Sequence, residues 1–121
     1  MTHDSRFERL VDTSRSRVTE LTVEQVRART DAYALVDVRE DREWQVDHIT
    51  GAVHIGKGVL ERDIGKHYGP DDELVLYCGG GYRSALAADA LQQMGYSRVA
   101  SMDGGIRRWR ELGLPLSKVE D

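Results

Sequence analysis

Apolar and polar positions change their period several times along this chain, and each change predicts an element. Across residues 1 to 17, a polar and arginine-rich stretch, Phe7, Leu10, Val11 and Ser14 recur at helical spacing. That spacing predicts a short amphipathic helix packed against the rest of the chain. Thr22 can cap a second helix running to about Thr30, with Val23 and Val26 facing inward and Gln25 completing a capping box. Ala34 to Val38 is an apolar run broken only by Asp37, which reads as a buried strand. Asp41 to Asp47 is expected to be a short helix anchored in the core by Trp44, and Ala52 to Ile55 a brief strand. Gly58 to about His67 reads as a helix with Val59, Leu60 and Ile64 apolar, and Gly69-Pro70-Asp71-Asp72 as a turn. Leu74 to Tyr77 is the central strand, Ser84 to about Met94 a helix stopped by Gly95, and Arg98 to Met102 another strand. Gly105 to about Leu112 forms the last helix, ended by Gly113. Strands alternating with helices in so short a chain imply an α/β fold whose parallel sheet is covered on both faces.

Composition narrows the function classes. The 121 residues suit one domain, 40% hydrophobic and 31% charged, large enough to fold without disulfide or metal staples. No apolar stretch approaches the roughly 20 residues of a membrane-spanning helix, and no secretory signal opens the chain, so no membrane partner and a cytoplasmic location are expected. The net charge of −4 offers no broad attraction to nucleic acid. Arg6, Arg9, Arg15 and Arg17 alternate with Asp4, Glu8 and Asp12, the pattern of a solvated face. Arg107, Arg108 and Arg110 surround Trp109, which is expected in the core while the arginines face water. His3, His48, His54 and His67 show no ligand spacing and only one thiol exists, so neither a metal nor another cofactor is expected.

That thiol is Cys78, at the exit of Leu74-Val75-Leu76-Tyr77 and directly before Gly79-Gly80-Gly81-Tyr82-Arg83-Ser84. Lone cysteines often serve as small core fillers. This one falls at the C-terminal end of a strand, where open α/β sheets place their ligands. Three successive glycines can turn backbone N–H groups inward at one point, and a helix opening near Arg83 or Ser84 adds its positive end. Both favour a thiolate. Arg83 can contact an anionic substrate or pair with a carboxylate to hold the loop. Ser84 can donate its hydroxyl to the sulfur or cap the helix. Tyr82 is expected to shape the pocket entrance, since a phenol is poorly matched to acid–base work at neutral pH. Asp37 interrupts an apolar strand and needs partners; Arg39 and Glu43 are close enough in sequence to bridge, and all three are expected to support the site structurally.

The loop Cys78 to Ser84 resembles the active-site loop of the rhodanese (sulfurtransferase) family. Leu35-Val36-Asp37-Val38-Arg39 with Glu43 is similar to the family's first motif, and His48-Ile49-Thr50-Gly51-Ala52-Val53-His54-Ile55 to the next. Asp103-Gly104-Gly105 with Trp109, Gly113 and Pro115 resembles its C-terminal signature. Asp47 stands where the family often has glycine and Gly56 where proline is common. The resemblance implies a five-stranded, mostly parallel sheet flanked by helices, with residues 18–117 as the rhodanese-like domain, 1–17 as a helical extension and 118–121 as a tail. It also implies that Cys78 takes a sulfane sulfur from a small anionic donor such as thiosulfate. The resulting persulfide would pass its sulfur to a thiol, to cyanide or to a partner protein. Two alternatives remain open: a persulfide carrier with weak thiosulfate turnover, and a cysteine phosphatase or arsenate reductase. Phosphatase loops place five residues between cysteine and arginine, whereas Gly79 to Tyr82 are four, a ring better sized to one sulfur atom than to a phosphoryl group.

Overall fold

The computed structural model describes residues 3–29 and 31–119. Met1, Thr2, Thr30, Glu120 and Asp121, where the expected N-terminal extension, second helix and C-terminal tail have their ends, lie outside the described residues. The chain runs α1 (Ser5–Arg15), β1 (Thr19–Thr22), α2 (Val23–Arg27), β2 (Ala34–Asp37), α3 (Asp41–Val46), β3 (His48–Ile49) and β4 (Val53–His54). It continues through α4 (Lys57–Asp63), a 3-10 turn (Ile64–Lys66), β5 (Leu74–Tyr77), α5 (Tyr82–Gln93), β6 (Val99–Asp103), α6 (Gly105–Glu111) and β7 (Leu116–Ser117).

Five strands form one sheet in the order β1-β6-β5-β2-β4, and every pairing in it is parallel. The central position of β5 follows from its sequence, since only a strand buried on both faces can be apolar at every residue. Its side chains alternate between two cores. Leu74, Leu76 and Cys78 join Val36, Val38, Leu60, Ile64, Ala87, Ala88 and Leu91, under α4 and α5. Val75 and Tyr77 join Val23, Val26, Met102, Ile106 and Trp109, under α2 and α6. Helices therefore cover both faces of the sheet. The thiol-bearing end of β5 emerges between the first turns of α5 and α6.

The fifth strand, β1, has no counterpart in the apolar pattern. Thr19-Glu20-Leu21-Thr22 pairs only with β6, and an edge strand needs no continuous apolar run. Residues β3 and β7 form a separate antiparallel pair, too short for any sequence period to reveal. Three expected core positions also differ. Leu10 and Val59 face solvent, so α1 is seated through Phe7, Val11 and Ser14 instead. Trp44 is only half-buried and no residue of α3 is buried. It stacks on His48, with ring centroids 3.5 Å apart, and on His54, at 4.9 Å. The helix after Thr22 is shorter than expected, although its capping box with Gln25 is present. Asp47 adopts an extended backbone, φ −167°, open to any residue, and Gly56 holds φ −59°, the value at which proline is fixed. Neither departure from the family pattern distorts its turn.

Candidate active site

Cys78 lies at the end of β5 with 1% of its surface exposed. The backbone N–H of Gly81 donates to its Sγ at 3.1 Å and that of Ser84 at 3.4 Å. Its thiol donates to the Ser84 hydroxyl oxygen at 3.5 Å, and that oxygen shares a 2.8 Å hydrogen bond with Ser101 Oγ on β6. Two backbone amides thus converge as donors on the sulfur, with a hydroxyl beside it that accepts from the thiol. Gly81 makes this possible with a left-handed backbone, φ +115°, that starts α5 while aiming its own N–H back at the thiol.

The carbonyls of the loop point the other way. The N–H groups of Gly104, Ile106 and Arg107 donate to the oxygens of Gly80, Cys78 and Gly79 at 3.2, 3.0 and 3.1 Å. The first turn of α6 therefore occupies the loop's acceptors on one side and leaves donors facing the sulfur on the other. Gly105 permits this approach: a Cβ there would lie 2.5 Å from the Cys78 oxygen, and its φ is +55°. The Asp103-Gly104-Gly105 motif is in this way a clamp on the thiol loop.

A cleft of about 680 Å³ opens over the thiol, lined by His3, Phe7, Cys78, Gly79, Gly80, Tyr82, Arg83 and Arg107. Tyr82 stands at its entrance, but in company. His3 and Phe7 lie 5.1 and 6.0 Å from its ring, so the start of α1 closes one side of the mouth. Ser14 donates to Asp89 Oδ2 on α5 at 2.9 Å and Arg17 to the same oxygen at 3.3 Å, which fixes α1 in place.

Arg83 makes a bidentate pair with Glu43, 2.6 and 3.1 Å, and Glu43 also accepts from the Glu40 N–H at 3.1 Å. This hydrogen bonding to Arg83 lowers the Glu43 pKa to about 2. Glu43 and Arg39, close enough in sequence to bridge, do not bridge each other, and the partner that Asp37 needs is Arg39. Arg39 instead grips Asp37 through its Nε and Nη2, at 3.1 and 2.9 Å, and donates to the Asp47 carbonyl at 2.7 Å. Asp37 and Arg39 are both buried and lie apart from the thiol cleft. They tie the end of β2 to the end of α3, the helix that carries Glu43. Ser84 does not cap α5, because Gly81 holds that position.

Four cleft or sulfur-network residues escaped the sequence reading. Phe7 lies on a helix distant in sequence and His3 just before it, and Ser101 is a polar residue inside an apolar strand, a signal of the same kind as Asp37. Arg107 is exposed, as expected of the arginines around Trp109, but it also lines the cleft. Among the described residues no cluster of side chains is suited to hold a metal ion, and no helix is long and apolar enough to cross a membrane.

Residues 22–112 match the model of the rhodanese-like domain. A Mycobacterium tuberculosis protein named "Probable adenylyltransferase/sulfurtransferase MoeZ" is 42% identical over 77 residues, 63% of this chain and 20% of its own length. The chain therefore spans only a fifth of that relative. The thiosulfate sulfurtransferase GlpE of Ectopseudomonas mendocina is 34% identical over 82 residues, covering 68% of this chain and 74% of GlpE. Among solved structures, a Rhodopseudomonas palustris protein of unknown function, described as a possible tyrosine phosphatase, superposes with a TM-score of 0.80. It is 30% identical, over 97% of this chain and 96% of its own. The thiol loop, the first motif and the glycine clamp fall within the matched span, and the chain belongs to the rhodanese-like domain family.

Proposed function

We propose that the protein is a sulfurtransferase that carries sulfane sulfur on Cys78, with thiosulfate as a donor. The observation that carries this reading is the convergence of the Gly81 and Ser84 amides and the Ser84 hydroxyl on one sulfur at the floor of a cleft. The Cys78 thiolate attacks the outer sulfur of thiosulfate. The S–S bond of the donor breaks, its electron pair leaves with sulfite, and the enzyme retains a persulfide whose outer sulfur is anionic. Cyanide or a thiol then attacks that outer sulfur and returns Cys78 as thiolate. The same donors stabilise the thiolate before transfer and as it is regenerated, so no metal or organic cofactor is required for this cycle. The use of a lone reduced thiol suits a reducing compartment such as the cytoplasm.

Incubation with thiosulfate followed by intact-mass measurement is expected to add one sulfur, about 32 Da, to the parent and none to Cys78→Ser. Thiocyanate formation from thiosulfate and cyanide should vanish in the same variant. Sulfur gain with slow thiocyanate formation would indicate a carrier that serves a partner protein. No sulfur gain together with phosphate-ester hydrolysis would overturn the proposal in favour of a phosphatase, the activity suggested for the Rhodopseudomonas relative.

A further inference from the structure

Two arginines line the thiol cleft, and their charges are not equally available. Arg83 is neutralised by its bidentate pair with Glu43. Among the described residues Arg107 has no such partner. The carboxylates that share the adjoining depression with it are Glu24, Asp103 and Glu111. Glu24 pairs with Arg108 at 2.8 Å, Glu111 faces Arg108 at 3.9 Å, and Asp103 faces Arg15 at 3.7 Å. Among the described residues no carboxylate lies within ion-pairing distance of Arg107.

Position adds to availability. The Arg107 N–H donates to the Gly79 oxygen, so the backbone of this residue is pinned to the thiol loop. Its guanidinium then folds over Gly80: a Cβ on Gly80 would lie 3.2 Å from Nη1. The glycine thus leaves room for a planar cation against the loop that holds the sulfur. On the same helix Ile106 and Trp109 enter the core and Arg108 engages Glu24, so only Arg107 is directed at the cleft.

We propose that Arg107 binds the anionic end of the sulfur donor and holds the leaving sulfite as the S–S bond breaks. This rests on the sulfurtransferase reading above and adds the residue that selects an anionic donor over a neutral one. A guanidinium can take two oxygens of a sulfonate at once, which orients the donor with its outer sulfur toward Cys78. The negative charge released with sulfite is generated beside this cation.

Alkylation of Cys78 by iodoacetate, an anion, and iodoacetamide, its neutral counterpart, reads the contribution of Arg107 without any turnover. Arg107→Gln is expected to lower the iodoacetate-to-iodoacetamide rate ratio by about fivefold, the worth of one partly exposed charge contact. Arg107→Lys should retain most of the ratio. In steady state the Gln variant should lower kcat/KM for thiosulfate about tenfold, with KM raised and kcat also reduced, as for loss of a charged hydrogen bond that strengthens while charge passes to the leaving sulfite. An unchanged alkylation ratio and kcat/KM in Arg107→Gln, with the parent still gaining sulfur from thiosulfate, would overturn the assignment of Arg107 alone. A parent that gains no sulfur from thiosulfate overturns the donor assignment together with the sulfurtransferase reading, and the mass of the parent distinguishes the two failures.

Discussion

The Ser84 hydroxyl sits between two partners whose demands change with the state of the thiol. It accepts from the Cys78 thiol when the sulfur is protonated, and Ser101 can supply the proton that frees it to donate when the sulfur is charged. Ser84→Ala removes a donor to the anionic sulfur and should slow thiocyanate formation about tenfold, the lower end for a hydrogen bond to a charged group. Ser101→Ala keeps the sulfur contact and should cost distinctly less in rate. Steady-state kinetics on both variants checks the order. Gly105→Ala tests packing instead: a methyl 2.5 Å from the Cys78 oxygen on a left-handed backbone should cost about 2–4 kcal/mol and lower the melting temperature by upward of about 10 °C. Gly113→Ala is the control, since φ is +68° there but nothing lies within 4 Å, and it should melt much closer to the parent.

Elements far apart in sequence meet around the cleft, and this limits what could be read in advance. The interior strands β2, β5 and β6 were legible because burial on both faces demands continuous apolar runs. Cys78 and its glycines were legible because loop, strand end and helix start are adjacent in the chain. The edge strand β1 left no such trace, and Trp44 was misread because a large aromatic in a short helix stacks on two histidines as readily as it enters a core. The bridge from Glu43 to Arg83 spans α3 and α5, so its partner could not be chosen from local spacing. Helix α1 was expected to pack on the domain, but its contribution to the cleft mouth required the fold. Phe7→Ala should open that side and raise the alkylation rate of Cys78 by iodoacetamide about threefold or less, with little change in melting temperature for a half-buried ring. An unchanged rate would mean that α1 does not limit access.

At the scale of the molecule, arginine–carboxylate pairs set the response to acid. Glu43 is lowered to about 2, and Asp63, Glu24, Asp31 and Glu73 are also held below their ordinary values by hydrogen bonds from arginines. A carboxylate with a lowered folded pKa stabilises the protein fully above its unfolded value, 4.5 for Glu43, and loses that contribution as pH falls toward 2. The melting temperature should therefore decline steadily from about pH 4.5 downward, and Glu43→Gln should flatten part of that decline while lowering the plateau near neutrality. Thermal melts across that range provide the check. The clamp between α6 and the thiol loop carries a consequence of another kind. Amide deuterium uptake at Gly104, Ile106 and Arg107 reports directly on how often the sulfur's cradle comes apart, because those three hydrogens are protected by the loop's own carbonyls. Breathing of a helix on the far side of the loop and momentary blunting of the nucleophile are then one event, visible in a protein that is not turning over.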